Sequence, residues 1–241
     1  MFISIRMSTL RRAAIGVCCV VLAAVFAWQS VPADTTVFAP QDAAPVTVVV
    51  DPGHGGEDGG AVSSDGVEES QINLELGLRV NDLLRFCGQK TVMTREEDRS
   101  IHSEGADTIR EKKASDLRNR VAMVNAEEHG VLLSIHQNSL PGSKVRGAQV
   151  FYNAVEPAQQ MAVSVQQALN SAVNHGSGKN AKQMDDSIYL MKNICSPGIL
   201  VECGFLSSPA EAELLQTDDH QRRLSAAIVS GYLQSRTEKR S

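Results

Sequence analysis

The feature that most constrains this chain is a repeating pair. Most short β-branched or apolar runs are followed by a segment with helical spacing. Val46–Asp51 (VTVVVD) reads as a buried strand, and Gln71–Phe86 places Ile72, Leu76, Val80, Leu83 and Leu84 on a helical period, with Gly88 as a stop. The pattern recurs as Lys90–Thr94 (strand), Ala114–Glu128 (helix, with Leu117, Val121 and Val124 on one face, ended by Gly130), Val131–His136 and Gly147–Tyr152 (strands) and Glu156–Asn174 (amphipathic helix). Ile188–Met191 and Ile199–Cys203 read as two more strands, and Pro209–Leu215 and Asp219–Leu233 as closing helices. The polar stretches Glu96–Lys113 and Ser177–Asp186 have no period and read as loops, candidates to line a binding groove. Strands alternating with helices imply an α/β domain whose largely parallel sheet is covered on both faces.

The first residues follow a different rule. Arg6, Arg11 and Arg12 precede an apolar run from Ala13 to Trp28, and Val31-Pro32-Ala33 offers small residues at its exit. This reads as a signal peptide or signal-anchor over residues 1–33, followed by a Pro- and Ala-rich linker over 34–45 and a single α/β domain over 46–236. The bulk of the chain is then expected outside the cytoplasm, with membrane contact only through an uncleaved N-terminal segment. A net charge of −5 gives no basic surface for nucleic acid, so none is expected as a partner. Five cysteines without CxxC spacing do not make a disulfide framework, and Cys87, Cys195 and Cys203 read as small buried residues. The sequence leaves the oligomeric state open.

In open α/β sheets, reactive groups gather at the carboxyl ends of strands. His54 follows the first strand in DPGHGGEDGG, which has neither GK[ST] nor GxGxxG and so does not cradle a nucleotide phosphate. His136 ends the third strand, sharing a face with Leu132 and Ser134. Two imidazoles with one carboxylate and an open position make a catalytic zinc site. Asp51, Glu68, Glu69 and Glu202 are the carboxylates at hand. Glu202 stands out because it interrupts an apolar run (ILVECGF), where an unpaired acid is costly to bury. It is there either to pair, with Arg120 for instance, or to take a proton. Asn138 is a candidate to orient substrate, and Arg120 to hold Glu202 or a substrate carboxylate. His102, His129, His175 and His220 are expected on the surface.

DPGHGGEDGGA, EESQINLELG, MTRE, SIHQNS and VECGFLSSPAEAELL, in this order from Val46 to Leu233, resemble the zinc-dependent N-acetylmuramoyl-L-alanine amidases of bacterial cell walls. KKASDLRNRVAMVN and IYLMKNICSPGILVECGFLSSP look like that family's sporulation-type branch. The resemblance implies a twisted, mostly parallel six-stranded sheet flanked by helices. It also implies zinc on His54, Glu69 and His136, selecting Glu69 over Glu68, with Glu202 as catalytic acid/base. Ser70-Gln71 stands where many relatives have Lys-Asp, a change expected to alter hydrogen bonding around the ligands without removing one. The implied substrate is peptidoglycan with peptide stems, cut between N-acetylmuramic acid and L-alanine. The branch further implies spore cortex, where the freed lactyl carboxyl and a separate deacetylase lead to muramic-δ-lactam. The competing readings are an exported zinc peptidase or deacetylase, and a wall-binding module without activity.

Overall fold

A computed structural model describes residues 46–140, 142, 145–176, 178–185 and 187–238. The expected signal segment and linker lie outside these residues. Among the described residues no helix is long and apolar enough to cross a membrane.

Six strands form one sheet in the order β2-β1-β3-β6-β4-β5. They are β1 (Thr47–Pro52), β2 (Lys90–Met93), β3 (Gly130–Asn138), β4 (Gln149–Tyr152), β5 (Lys182–Gln183) and β6 (Gly198–Phe205). All neighbours run parallel except β4, which is antiparallel to β6. The helices are α1 (Glu69–Phe86), α2 (Ile109–Asn125), α3 (Ala158–Ala172), α4 (Tyr189–Asn193), α5 (Pro209–Leu215) and α6 (Asp218–Glu238).

The central strands are apolar throughout because both faces are covered. Val48, Val50, Leu133, Ile135, Ile199 and Val201 point into a large core with α1, α3, α5 and α6. Val49, Leu132 and Leu200 point the other way, into a smaller core with Val124 of α2 and Leu190 and Met191 of α4. On that thinner side Asp51, Ser134, His136 and Glu202 continue the same strand faces beyond the apolar residues. The chain leaves β1 for β2 on one side and returns to β3 on the other, so β1 and β3 flank the point where strand order reverses. A crevice is expected there.

Two elements depart from the sequence reading. The run at Ile188–Met191 is not a strand. It forms the short helix α4, and the fifth strand is instead Lys182–Gln183, two exposed polar residues paired with Phe151 and Tyr152. A short apolar run does not declare its period, and as a helix it buries Leu190 and Met191 in the smaller core. Helix α2 also begins at Ile109 inside the expected 96–113 loop, because Thr108 and Glu111 form a reciprocal capping box.

Candidate active site

His54 sits just past β1 in a left-handed backbone conformation (φ 60°), unusual for a residue with a Cβ. Two buried arginines hold that turn. Arg95 donates to the carbonyls of Pro52 (3.0 Å), Gly53 (3.1 Å) and Ser70 (2.8 Å). Arg120 donates to the carbonyls of Pro52 (2.9 Å) and His54 (2.8 Å) while pairing with Asp51 and Asp116, both at 2.6 Å. Arg120 is therefore not the partner of Glu202, and Asp51 is not a metal ligand. Asp51 also accepts from Thr94 and Ser134, each at 2.7 Å. Burial alone would raise the Asp51 carboxyl, but Arg120 and these donors hold it below its ordinary range.

His136 and Glu202 are register partners on the parallel strands β3 and β6, so their side chains emerge side by side. Immediately beyond them the register slips, with Asn138 paired to Phe205. That irregularity frees the Gln137 N–H from the ladder to donate to Glu69 Oε1 at 3.1 Å. Glu69, the first residue of α1, is buried between the two imidazoles. Its Oε1 lies 2.8 Å from His136 Nδ1 and its Oε2 lies 3.3 Å from His54 Nε2. Ala61 N–H and the Asn73 side chain complete its donors, at 2.9 and 3.2 Å. The His136 and His54 rings pull the Glu69 carboxyl far down despite its burial.

His54, Glu69 and His136 offer donor atoms within 4.8 Å of one another, a group able to hold one metal ion. Two imidazole nitrogens and a carboxylate oxygen suit zinc with a position left open. In the protein alone, burial disfavours a charged His54, but Asp58 and Glu69 outweigh it and raise the imidazole to about 9. A cation placed among the same donors takes over the role of that proton. Two glycines make the close approach possible. A Cβ on Gly53 would lie 2.2 Å from His136 Cε1, and one on Gly60 would lie 2.6 Å from Glu69 Oε2.

Glu202 is different from the other acids. Its Oε2 is buried without a hydrogen-bond partner. Burial pushes its carboxyl up to about 7, against the pull of His136 and with the push of Glu69. It faces a cavity of about 460 Å³ that also receives His54, Glu69, His136 and Asn138. Apolar residues complete its lining: Leu117, Ile188, Tyr189, Leu190 and Leu200. From the 96–113 stretch only Lys113 lines it. The opposite lip comes from Ser187–Leu190 rather than from any described residue of 177–186. None of the four remaining histidines lines it. His129 and His175 are exposed, whereas His102 and His220 are half-buried.

A sequence profile described as N-acetylmuramoyl-L-alanine amidase matches residues 48–234. The chain belongs to this amidase family. It is 40% identical to the germination-specific N-acetylmuramoyl-L-alanine amidase of Bacillus subtilis (strain 168) over 193 residues, 80% of each protein. Among solved structures it is similar to the CwlD amidase of Clostridioides difficile in complex with the GerS lipoprotein. That match has a TM-score of 0.76 and 32% identity, and covers 81% of this chain and 100% of that one. A second N-acetylmuramoyl-L-alanine amidase, from Clostridium difficile 630, matches with a TM-score of 0.69 and 27% identity over 82% of this chain and 100% of its own.

In this amidase the Ser70-Gln71 departure touches no candidate ligand. The Ser70 carbonyl receives Arg95, and the Gln71 side chain donates outward to Glu75 at 3.2 Å. Two contributors escaped the sequence reading. Asp58 accepts from His54 Nδ1 at 2.9 Å, fixing which ring nitrogen faces Glu69. Its spacing of four from His54 is a weak signal inside a turn. Asn73 bridges Glu69 and the Gly53 carbonyl (3.1 Å), one helical turn after Glu69. Among the described residues the three cysteines, Cys87, Cys195 and Cys203, are all free, and only Cys203 is fully buried. Cys195 is exposed, because it ends the α4 turn rather than entering the sheet.

Proposed function

We propose that this chain is a zinc-dependent amidase. It hydrolyses the bond between the lactyl group of N-acetylmuramic acid and L-alanine in peptidoglycan, outside the cytoplasm, in spore cortex. The amidase reading is carried by one observation above all: the unpartnered Glu202 carboxyl standing in register with His136 beside the buried His54–Glu69–His136 group. A wall-binding module has no use for an acid kept buried without a partner at such a cost.

His54, Glu69 and His136 would hold zinc, which would supply acidification of a water molecule and polarisation of the scissile carbonyl. Asp58 keeps the His54 proton on Nδ1, leaving Nε2 free to ligate. Glu202, in its ionised form, takes the proton of the attacking water and returns one to the departing alanine amine. The products are a muramic lactyl carboxylate and a free peptide amine. Asn138, which lines the same cavity as Glu202, holds the substrate amide in place. The cortex assignment is supported by the name of the relative from B. subtilis. In cortex, the exposed lactyl carboxyl is the group that lactam formation requires.

The test is mass spectrometry of muropeptides digested by the full chain, with zinc content measured in parallel. Intact stem peptides and unshortened glycan are expected, with one zinc per chain. Freed acetate or trimmed stems would replace the amidase reading with a deacetylase or peptidase. Glu202→Gln is expected to keep the zinc and lose at least about a hundredfold in turnover, as removal of a general acid/base does.

A further inference from the structure

The cleft is chemically two-sided. Its lining carries five carboxylates (Asp51, Asp58, Glu69, Asp116 and Glu202) and two cations, Arg120 and Lys113. Arg120 is buried and already committed to Asp51 and Asp116. Lys113, in the second turn of α2, is 52% exposed, and its Nζ lies 2.9 Å from Asp58 Oδ1. That is a single-point contact for an ammonium with three donors, and Asp58 spends its other oxygen on His54. Lys112 next to it pairs with Glu57 and lines only the small hollow adjoining the cleft, not the cleft itself. Arg120 neutralises Asp51 and Asp116, and Glu69 faces the two imidazoles, so among the described lining residues Lys113 is the exposed cation to which an anionic ligand group can turn. The opposite lip is apolar, with Ile188 38% and Tyr189 43% exposed at its rim. Apolar side chains held open at a cleft mouth suit a ligand's uncharged face.

We propose that Lys113 is a specificity-determining residue that binds a free carboxylate on the peptide arm of the substrate, while the uncharged sugar lies against the Ile188–Tyr189 lip. The proposal rests on the amidase reading above and adds to it the direction in which substrate lies. Lys113 stands two hydrogen bonds from the His54 ring, through Asp58. An extended peptide advances roughly 3.5 Å per residue. The carboxylate it meets therefore belongs to the first residues after the scissile bond. The contact lies away from the reacting atoms and is made equally in ground and transition states, so it acts on KM.

The experiment compares two sets of muramoyl peptides, one with free peptide carboxyls and one with the same carboxyls converted to amides. The enzymes are the full wild-type chain, Lys113→Met, Lys113→Arg and Lys112→Met. Wild type is expected to favour the free acids by about tenfold in kcat/KM, the size of one charge-assisted hydrogen bond, mostly through KM. Lys113→Met collapses the preference to within about twofold with zinc content retained, whereas Lys113→Arg and Lys112→Met keep it. Wild type cutting both sets equally would overturn the proposal and leave the amidase reading intact. So would an equal loss on both sets in Lys113→Met accompanied by lost zinc, since Lys113 would then only brace Asp58. If neither set is cut at the muramoyl–alanine bond, the amidase reading fails and this proposal with it.

Discussion

Glu202 is held in a state that costs the fold. Its carboxyl rises from an ordinary 4.5 to about 7 because burial disfavours the charge. The folded protein therefore binds more protons there than the unfolded chain between those values, and stability falls as pH rises through that window. In chelated, metal-free protein, Glu202→Gln is expected to be more stable than wild type at pH 8, by on the order of 2 kcal/mol. The difference should vanish near pH 4. Urea unfolding at the two pH values measures this, and a pH-independent difference would contradict it. Gly53 sets a second constraint. A Cβ there would overlap the His136 ring at 2.2 Å, while its backbone angles are ones an L-residue can adopt. Gly53→Ala should fold and yet bind zinc at least about tenfold more weakly, as read by competition with a chelator. Unchanged affinity would mean that the ring can move aside without leaving the metal.

The elements explain why some of this was legible beforehand and some was not. His54 and His136 announced themselves by standing at strand ends, and Glu202 by breaking an apolar run. Those are local patterns. Which acid joins the histidines was not local. It depends on α1 starting at the edge of the β1 turn, and resemblance rather than spacing singled out Glu69. For Arg120 the sequence offered Glu202 or a substrate carboxylate as partners, because its actual one, Asp51, becomes a neighbour only when α2 packs over β1 and β3. That buried pair now makes a prediction. The Asp51 carboxyl is held below 3.8, so its stabilisation is complete above that value and is lost as the pH falls through the lower folded pKa. Asp51→Asn leaves Arg120 with Asp116 alone. It is expected to cost about 3–5 kcal/mol at pH 7. Because the variant lacks the Asp51 titration, it should lose less further stability than wild type between pH 4 and pH 2. Acid titration followed by circular dichroism distinguishes the two slopes.

At the scale of the whole molecule, labour is divided between the two faces of the sheet. The thin layer of α2 and α4 leaves the cleft open, and the thick layer of α1, α3, α5 and α6 holds the sheet in register. In the thick layer α3 and α6 pack so closely that a Cβ on Gly231 would lie 2.5 Å from Val165 Cα and 2.9 Å from the Ser164 carbonyl oxygen, both backbone atoms. Neither can rotate away, so Gly231→Ala must push the helices apart. Overpacking costs typically 1–3 kcal/mol, and better helix propensity returns up to about 1 kcal/mol. A net loss of about 1–2 kcal/mol in thermal or urea unfolding is expected. No residue of this contact reaches the cavity lining, so kcat/KM per folded molecule and zinc content should stay at wild-type values. A Gly231→Ala protein of wild-type stability would show that the two helices can separate freely. One with weakened zinc binding would show that the thick face does more than support the sheet, transmitting its spacing through β3 and β6 to His136 and Glu202.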